Sequence, residues 1–318
     1  MRALLADRIA DPGPELLRTA GVEVIADPDL TLETLPSAVA ATAADVLVVR
    51  STRVTEDTLR SGQLKLVVRA GAGFNTIDVE TASDLGIKVA NCPGKNAAAV
   101  AELAFGLIIA LDRHVAHSVI ELRDGRWNKV GFSDARGLSG STLGLLGTGH
   151  TGRAMIPIAR AFGMDVIGWS RSLSPALASE LGIGHRSSPA DVARDADIVS
   201  IHVALTPETQ GMVDATFLDA MKSGAYLVNT ARAEVVDENA LVEAVKSKGL
   251  RVGLDVFDGE PAAGTGEVDS PLFAVPGIIG THHIGGATTQ AHRAVAEEMA
   301  RVVIEYARTG RVLNQVGV

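Results

Sequence analysis

Three separate segments in the second half of this chain carry side chains that could do chemistry together. Arg232 ends the run Asn-Thr-Ala-Arg, Glu260 lies in Asp-Val-Phe-Asp-Gly-Glu-Pro, and His283 precedes Ile-Gly-Gly. Hydride reduction of a 2-keto acid requires a cation that holds and polarises the substrate, an imidazole that supplies a proton, and a carboxylate that keeps the imidazole charged. We therefore take Arg232, Glu260 and His283 as candidate catalytic residues.

Two of these assignments have alternatives. The planar guanidinium of Arg232 can bind a carboxylate through two hydrogen bonds and polarise a carbonyl, but an arginine can also form an ordinary surface salt bridge. His282 directly precedes His283 and could carry the proton instead. We favour His283, because the glycines that follow it, Gly285 among them, let a cofactor and a substrate approach the backbone closely.

A glycine-rich turn indicates a dinucleotide site. Gly147, Gly149 and Gly152, with His150 and Thr151 between them, follow an apolar run and open a helical pattern. Glycines in this spacing allow a tight turn and close approach of the backbone to a pyrophosphate, and the helix N-terminus offers N–H donors to the phosphates. The order of strand, turn and helix makes a chance match of this motif improbable.

The next predicted strand ends where the choice between NAD and NADP is usually made. An NAD site places an acidic residue about twenty positions beyond the glycines, to bind the ribose hydroxyls. Here Ser170 stands 18 positions after Gly152, and Arg171 and Ser172 follow. Because the acid is missing and an arginine with two serines can hold a phosphate, we expect NADP(H) over NAD(H). The alternative is that Arg171 is a solvated residue that only stacks on adenine.

The N-terminal third offers a second anion site. The turn Arg69-Ala70-Gly71-Ala72-Gly73-Phe74 follows an apolar strand, and its backbone N–H groups could bind a substrate carboxylate, although an ordinary strand-to-helix turn has the same composition. Arg50 ends the preceding predicted strand and could face the same ligand.

Composition narrows the class of protein. A net charge of -9 without a dense Lys/Arg run argues against nucleic acid or an anionic membrane as partner. The single cysteine, Cys92, fits a reducing compartment, and we expect a cytoplasmic protein. His114 and His117 share a helical face but lack acidic neighbours in a ligand motif, so we expect no metal site.

Short apolar runs alternate with helical patterns along the chain, which predicts an α/β protein built from two doubly wound parallel sheets. We expect a discontinuous substrate-binding domain of residues 1–97 plus 287–318, and a dinucleotide-binding domain of residues 98–286. The predicted strands are residues 4–5, 22–25, 46–49 and 66–68 in the first series, and 142–146, 166–169, 198–203, 226–229, 251–255 and 278–279 in the second.

The motifs together resemble the D-isomer-specific 2-hydroxyacid dehydrogenase family along nearly the whole chain. The resemblance implies NAD(P)-dependent interconversion of a 2-keto acid and a D-2-hydroxy acid, a Rossmann-type nucleotide domain inserted into a flavodoxin-like substrate domain, an active site between two domains, and a homodimer. The segments that carry it are residues 69–78, 91–113, 147–152, 202–209, 229–241, 254–261 and 283–286.

The same resemblance implies roles for individual residues. Arg232 would bind the substrate, Glu260 would be the partner of His283, and His283 would be the acid/base. The N–H groups around Ala72 and Gly73 would hold the substrate carboxylate. The further cofactor contacts that it implies are Val203, Thr230, Ala231 and Asp255.

Within the family the N-terminal third is most similar to D-3-phosphoglycerate dehydrogenase, and that enzyme is the alternative activity. Lys129 stands where such enzymes often carry a phosphate-binding arginine, Ser170 replaces the ribose-binding acid, and the chain stops at Val318 without a regulatory domain. A nucleotide-sensing binding protein, similar to the transcriptional corepressors that share this fold, is the alternative from another class.

Overall fold

The computed structural model describes residues 1–261 and 265–317 and divides the chain into two units. The first unit comprises Met1–Asn96 and Gly286–Val318, and the second, Ala97–Gly285, is inserted between these two segments. Each unit is a largely parallel sheet with helices on both faces. The predicted α/β architecture of two doubly wound domains is confirmed.

The first unit contains a six-stranded sheet. Its strands are β1 (Arg2–Leu5), β2 (Glu23–Ala26), β3 (Val46–Val49), β4 (Leu66–Arg69), β5 (Lys88–Ala90) and β13 (Gln315–Val316). They lie in the order β2-β1-β3-β4-β5-β13, which is the flavodoxin-like order with an antiparallel edge strand added by β13. The helices are α1 (Gly13–Thr19), α2 (Leu35–Thr42), α3 (Glu56–Arg60), α4 (Val79–Asp84) and α12 (Thr289–Thr309).

The second unit contains a seven-stranded parallel sheet. Its strands are β6 (Thr142–Leu146), β7 (Asp165–Trp169), β8 (Gly184–His185), β9 (Ile198–Ile201), β10 (Tyr226–Asn229), β11 (Arg251–Leu254) and β12 (Ile278–Gly280). The order β8-β7-β6-β9-β10-β11-β12 reverses beside β6, which is where a Rossmann-type sheet binds its ligand. The helices are α5 (Ala97–Asp112), α6 (Val115–Arg123), α7 (His150–Ala161), α8 (Pro175–Leu181), α9 (Pro189–Asp195), α10 (Ala215–Ala220) and α11 (Glu238–Lys248).

Local sequence explains where many of these elements begin and end. Strands such as β3, whose four residues are all buried, are continuous apolar runs because both faces of a parallel sheet are covered by helices. Helices end at glycines in the left-handed conformation, for example Gly182 and Gly249. Several begin at a side chain that accepts a hydrogen bond from the first turn, namely Asp78, Ser174, Ser188, Asp214, Asp237 and Thr288.

Some strand predictions differ from the structure. The strand predicted at 198–203 ends at Ile201, and the last bond of its pairing with β6 runs from the His202 N–H to the Leu146 carbonyl. The sequence did not predict β5, β8 or β13, which have only two or three residues each. Among the described residues no single helix is long and apolar enough to cross a membrane, and only α5 and α6 taken together, bent by 64°, reach the length and composition of a span.

A buried carboxylate ties the C-terminal segment of the first unit to its core. Glu298 of α12 is 6% exposed and forms ion pairs with Lys95 at 3.3 Å and with Arg301. The Asn314 side-chain amide donates to Glu298 Oε1 at 2.7 Å. The hydrogen bond from Arg301 lowers the pKa of Glu298 most, and although burial opposes it the pKa falls to about 2.

We predict that Glu298→Gln destabilises the protein near neutral pH by on the order of 3 kcal/mol, because the pKa falls from 4.5 to about 2 on folding. A lowered folded-state pKa stabilises above pH 4.5, and this contribution is lost as the pH falls towards 2. Urea unfolding of both proteins between pH 7 and pH 3 should therefore show a difference that shrinks with acidification. Glu297→Gln, an exposed neighbour on α12, is the control and should cost less than about 1 kcal/mol; equal losses in the two variants would contradict the assignment.

Candidate functional site

The glycine turn after β6 has the shape that a pyrophosphate requires. Gly147 has φ +99°, and a Cβ there would lie 2.6 Å from the backbone of His202 and 2.8 Å from the N atom of Val203. A Cβ on Gly152 would overlap the carbonyl oxygen of Gly147, whereas the space beside Gly149 is open. Gly147 and Gly152 are thus fixed by protein packing, and Gly149, the N-cap of α7, leaves room for a ligand at the helix N-terminus.

The residues after the glycines extend this surface. His150 is exposed and Thr151 is half-buried, both in the first turn of α7. Val203 is half-buried and packs against the core beneath the turn. The open N-terminus of a 12-residue helix, with backbone N–H donors and no side chain at Gly149, fits the phosphates of a dinucleotide.

The residues expected to contact the ribose of the cofactor lie at the end of β7. The hydroxyls of Ser170 and Thr148 lie 2.8 Å apart, and Ser172 is exposed. Arg171 forms an ion pair with Glu208 at 3.6 Å, in which both side chains are about two-thirds exposed. Sequence reasoning missed Glu208, because it comes from the loop after β9 and only the fold brings it to Arg171.

Arg232 is held in a loop that is organised by the last residue of β10. The buried Asn229 side chain accepts a hydrogen bond from the Ala231 N–H at 3.0 Å and donates to the Arg232 carbonyl at 2.8 Å. The guanidinium donates to the Ala231 carbonyl at 2.6 Å. Thr230, between them, has a buried hydroxyl with no hydrogen-bond partner in the described part of the chain. The loop thus fixes the position from which Arg232 projects.

His283 and Glu260 are brought together although 23 positions separate them in the sequence. The Nδ1 atom of His283 lies 2.7 Å from Oε2 of Glu260, and Oε1 of Glu260 accepts the Phe257 N–H at 3.0 Å. The His283 side chain is 53% exposed, and its Nε2 atom has no partner among the described residues. His282, by contrast, is exposed and forms no hydrogen bond or ion pair within those residues.

Asp255 holds the loop that carries His283. Its carboxylate is 1% exposed and accepts the N–H groups of Ile284 and Gly285, each at 2.8 Å, and the Thr281 hydroxyl at 2.6 Å. The Asp255 carbonyl accepts the His283 N–H at 2.9 Å. These bonds keep His283 at φ +52°, a left-handed conformation that a histidine rarely adopts without support.

Gly285 has no room for a side chain at this point, because a Cβ would lie 2.9 Å from Oδ2 of Asp255. The contacts of Asp255 and Gly285 with a cofactor remain predictions. The structure shows that Asp255 and Gly285 both help to hold the loop that carries His283.

The charge of Glu260 acts on both of the other candidate catalytic groups. Burial would raise the pKa of Glu260, but the hydrogen bond and charge of His283, the Phe257 N–H and the Arg232 charge together bring it below its usual value. Burial lowers the pKa of Arg232, and the charges of Glu234 and Glu260 oppose this effect. Glu260 is therefore ionised at neutral pH, and Arg232 keeps its charge in a partly buried setting.

The candidate substrate residues of the first unit lie in two loops. Asp7 accepts the N–H groups of Arg50, Ser51 and Thr52 at 2.7, 3.1 and 3.2 Å. The guanidinium of Arg50 lies 2.9 Å from Nε2 of His292, which belongs to α12.

Ala72 and Gly73 form the second loop, after β4. Both residues are half-buried, and neither N–H group donates to a protein atom within residues 1–261 and 265–317. Two such N–H donors without a protein acceptor suit a carboxylate ligand.

Comparison with known proteins identifies the family. A model described as the NAD-binding domain of D-isomer-specific 2-hydroxyacid dehydrogenases matches residues 105–285. A hydroxypyruvate reductase of Thermotoga maritima is 39% identical over 264 residues, which are 82% of this chain and 84% of that protein. The chain belongs to the D-isomer-specific 2-hydroxyacid dehydrogenase family. It is therefore an oxidoreductase that acts on the CH–OH group of small hydroxy acids with a nicotinamide cofactor.

Two further proteins to which the chain is similar differ in how much of their own length it covers. A D-3-phosphoglycerate dehydrogenase of Methanocaldococcus jannaschii is 36% identical over 310 residues, which are 95% of this chain but 57% of that protein. The chain thus spans little more than half of that relative. A Thermus thermophilus protein of solved structure superposes with a TM-score of 0.87 at 32% identity, covering 99% of this chain and 100% of that one.

We predict that Asp255→Asn destabilises the histidine loop, because the amide NH2 group would face the Gly285 N–H and leave it without an acceptor. A buried donor left unsatisfied costs about 1–3 kcal/mol. Urea unfolding measures the loss. Asp219→Asn, at an exposed side chain of α10, should change stability by less than about 0.5 kcal/mol. Unchanged stability of Asp255→Asn would show that the loop does not need this carboxylate.

Proposed function

We propose that this dehydrogenase reduces a small 2-keto acid of the hydroxypyruvate type to the D-2-hydroxy acid with NADP(H). The observation that carries the proposal is the hydrogen bond between Nδ1 of His283 and ionised Glu260. Because Glu260 keeps a proton on Nδ1, protonated His283 can give the proton on Nε2 to a substrate oxygen. The nicotinamide, when bound, supplies the hydride.

Arg232 is the residue that we assign to the substrate carboxylate and carbonyl. Its loop is fixed by Asn229, so the planar guanidinium is positioned before a ligand arrives. Partial burial strengthens its field at the carbonyl oxygen, where negative charge develops during hydride transfer. We assign the N–H groups of Ala72 and Gly73 to the same carboxylate.

The proton transfer needs only atoms that the chain itself places. When the carbonyl carbon receives the hydride, its oxygen becomes an alkoxide, and the N–H bond at Nε2 of His283 breaks as the O–H bond forms. The hydrogen bond from Nδ1 to Glu260 orients the ring, so that Nε2 is the atom that gives up its proton. In the reverse direction Nε2 accepts the hydroxyl proton, so one residue serves both oxidation and reduction.

Three features support a preference for NADP(H). Ser170 stands where a carboxylate would repel a 2′-phosphate, and Arg171 and Ser172 supply a charge and a hydroxyl beside it. The Arg171–Glu208 pair is long and exposed, so separating it costs little and frees the guanidinium. We assign the cofactor phosphates to the turn from Gly147 to Gly152, and the nicotinamide side to Val203, Thr230, Ala231, Asp255 and Gly285.

Hydroxypyruvate is the substrate that we favour among small 2-keto acids. The relative named hydroxypyruvate reductase, 39% identical over 82% of this chain, supports this choice. Lys129 is exposed, and Arg50 already binds His292, so neither is committed to a substrate phosphate.

We further propose that the protein is a cytoplasmic homodimer. The exposed apolar side chains of Val119, Ile120 and Leu122 on α6, with Trp127 and Val130 after it, form a surface that a second copy could cover. Cys92 is buried as a free thiol, which suits a reducing compartment.

We predict that His283→Gln lowers kcat by about a hundred- to ten-thousandfold, because glutamine fills a similar volume but cannot carry the proton. The dissociation constant of NADPH, measured by fluorescence, should stay near that of the wild type. His282→Gln is the matched control and should turn over normally. Normal turnover in His283→Gln, or an equal loss in His282→Gln, would refute the assignment.

The substrate and cofactor are tested together in one panel. Glyoxylate, hydroxypyruvate, pyruvate, phenylpyruvate and 3-phosphohydroxypyruvate are assayed with NADH and with NADPH. We expect the highest kcat/KM for hydroxypyruvate with NADPH. A clear preference for NADH would overturn the cofactor proposal, and a clear preference for 3-phosphohydroxypyruvate would favour the phosphoglycerate dehydrogenase alternative.

A further inference from the structure

One buried side chain donates a hydrogen bond to the backbone of the turn that follows β4. Asn91 follows β5, is 7% exposed, and donates from Nδ2 to the carbonyl oxygen of Ala72 at 2.6 Å. Next to it, the Cys92 N–H donates to the carbonyl of Gly71 at 2.9 Å. Two consecutive carbonyls of the turn are therefore bound by two consecutive residues of one neighbouring segment.

These two bonds fix the direction of two N–H groups. A peptide bond is planar and trans, so the N–H of each residue points opposite to the carbonyl of the residue before it. The Gly71 carbonyl faces Cys92, and hence the Ala72 N–H points away from it. The Ala72 carbonyl faces Asn91, and hence the Gly73 N–H points away from it as well. Neither N–H donates to a protein atom in the described ranges, 1–261 and 265–317.

Asn91 is itself held by the C-terminal segment. Its N–H donates to the Asn314 carbonyl at 3.3 Å, and the Asn314 side-chain amide donates to the Asn91 carbonyl at 3.3 Å and to Glu298 at 2.7 Å. Asn314 adopts φ +52°, a conformation that asparagine tolerates better than most residues. An unbroken series of hydrogen bonds therefore runs from the ionised Glu298 to the Ala72 carbonyl.

We propose that Asn91 is a positioning residue for substrate binding, which orients the Ala72–Gly73 peptide so that the Gly73 N–H meets the substrate carboxylate, with Asn314 and Glu298 supporting it. This inference rests on the proposed function, which assigns the carboxylate to these N–H groups. The Gly71 carbonyl is held by a backbone N–H, whereas the Ala72 carbonyl is held by the side chain of Asn91.

The test compares Asn91→Ala with the wild-type enzyme in complex with NADPH. Losing the orienting bond should raise KM for hydroxypyruvate and the dissociation constant of oxamate, a carboxylate analogue, by about tenfold, equivalent to about 1.4 kcal/mol. The NADPH dissociation constant should not change, and kcat should change less than KM. Amide hydrogen exchange, read by mass spectrometry on peptides covering residues 71–76, should become faster. Asn239→Ala, at an exposed asparagine of α11, is the control and should leave all five quantities unchanged.

If Asn91→Ala does not fold, a second variant tests the same inference. Asn314→Gly removes the supporting amide and suits the positive φ at that position, so it should shift KM and exchange in the same direction by a smaller factor. Wild-type KM, oxamate affinity and exchange in a folded Asn91→Ala protein would overturn the positioning role and leave the proposed function standing. Failure of the wild-type enzyme to bind oxamate or reduce any 2-keto acid would instead overturn the proposed function.

Discussion

The candidate catalytic centre depends on the two hydrogen bonds that the Asp255 carboxylate accepts from Ile284 and Gly285. The Asp255 side chain is buried away from competing water, and a hydrogen bond in such a setting is stronger than one at the surface. These two bonds hold His283 in the left-handed conformation, which directs Nδ1 to Glu260. Without that carboxylate the N–H groups of Ile284 and Gly285 would lose their acceptor, and the loop that carries His283 would lose two of the bonds that fix it.

Hydrogen bonds from a polar side chain to the backbone of a functional loop occur in both units. A polar side chain at or just after the carboxyl end of a parallel strand binds the backbone of its own or a neighbouring loop, and that loop carries a residue that the sequence analysis named as a catalytic or substrate-binding candidate. The carboxyl ends of parallel strands lie at one edge of each sheet. These contacts therefore hold the functional loops where such folds bind ligands. The pairs are Asp7 with the Arg50 loop, Asn91 with the Ala72 turn, Asn229 with the Arg232 loop, and Asp255 with the His283 loop.

Much of the fold could be predicted because its signals are local. Continuous apolar runs such as β3 and β10 indicate buried parallel strands. The glycine turn can be recognised from the spacing of its glycines and from its position between a strand and a helix. Short edge strands could not be predicted, since β13 has two residues and pairs with a strand over two hundred positions away. The proximity of His283 to Glu260 was inferred from residue types and from the family resemblance, and the structure places the two side chains together.

The supporting residues escaped sequence reasoning because their partners are distant along the chain. Asn91 looks like an ordinary residue after a strand, and only the fold shows that its amide reaches Ala72. Glu208 gives no signal of a pair with Arg171, and nothing local in the sequence shows that the Asp255 carboxylate binds Thr281, Ile284 and Gly285. A sequence can name candidate reactive groups from their chemistry, but the hydrogen bonds that orient those groups come from tertiary contacts.

The most direct test of the central claim is a crystal structure of the protein with NADPH and oxamate. The account predicts that Nε2 of His283 lies about 3 Å from the oxamate carbonyl oxygen, while Nδ1 keeps its bond to Glu260 and the Arg232 guanidinium contacts the oxamate. A complex in which oxamate binds away from both His283 and Arg232, with Nε2 facing solvent, would contradict it.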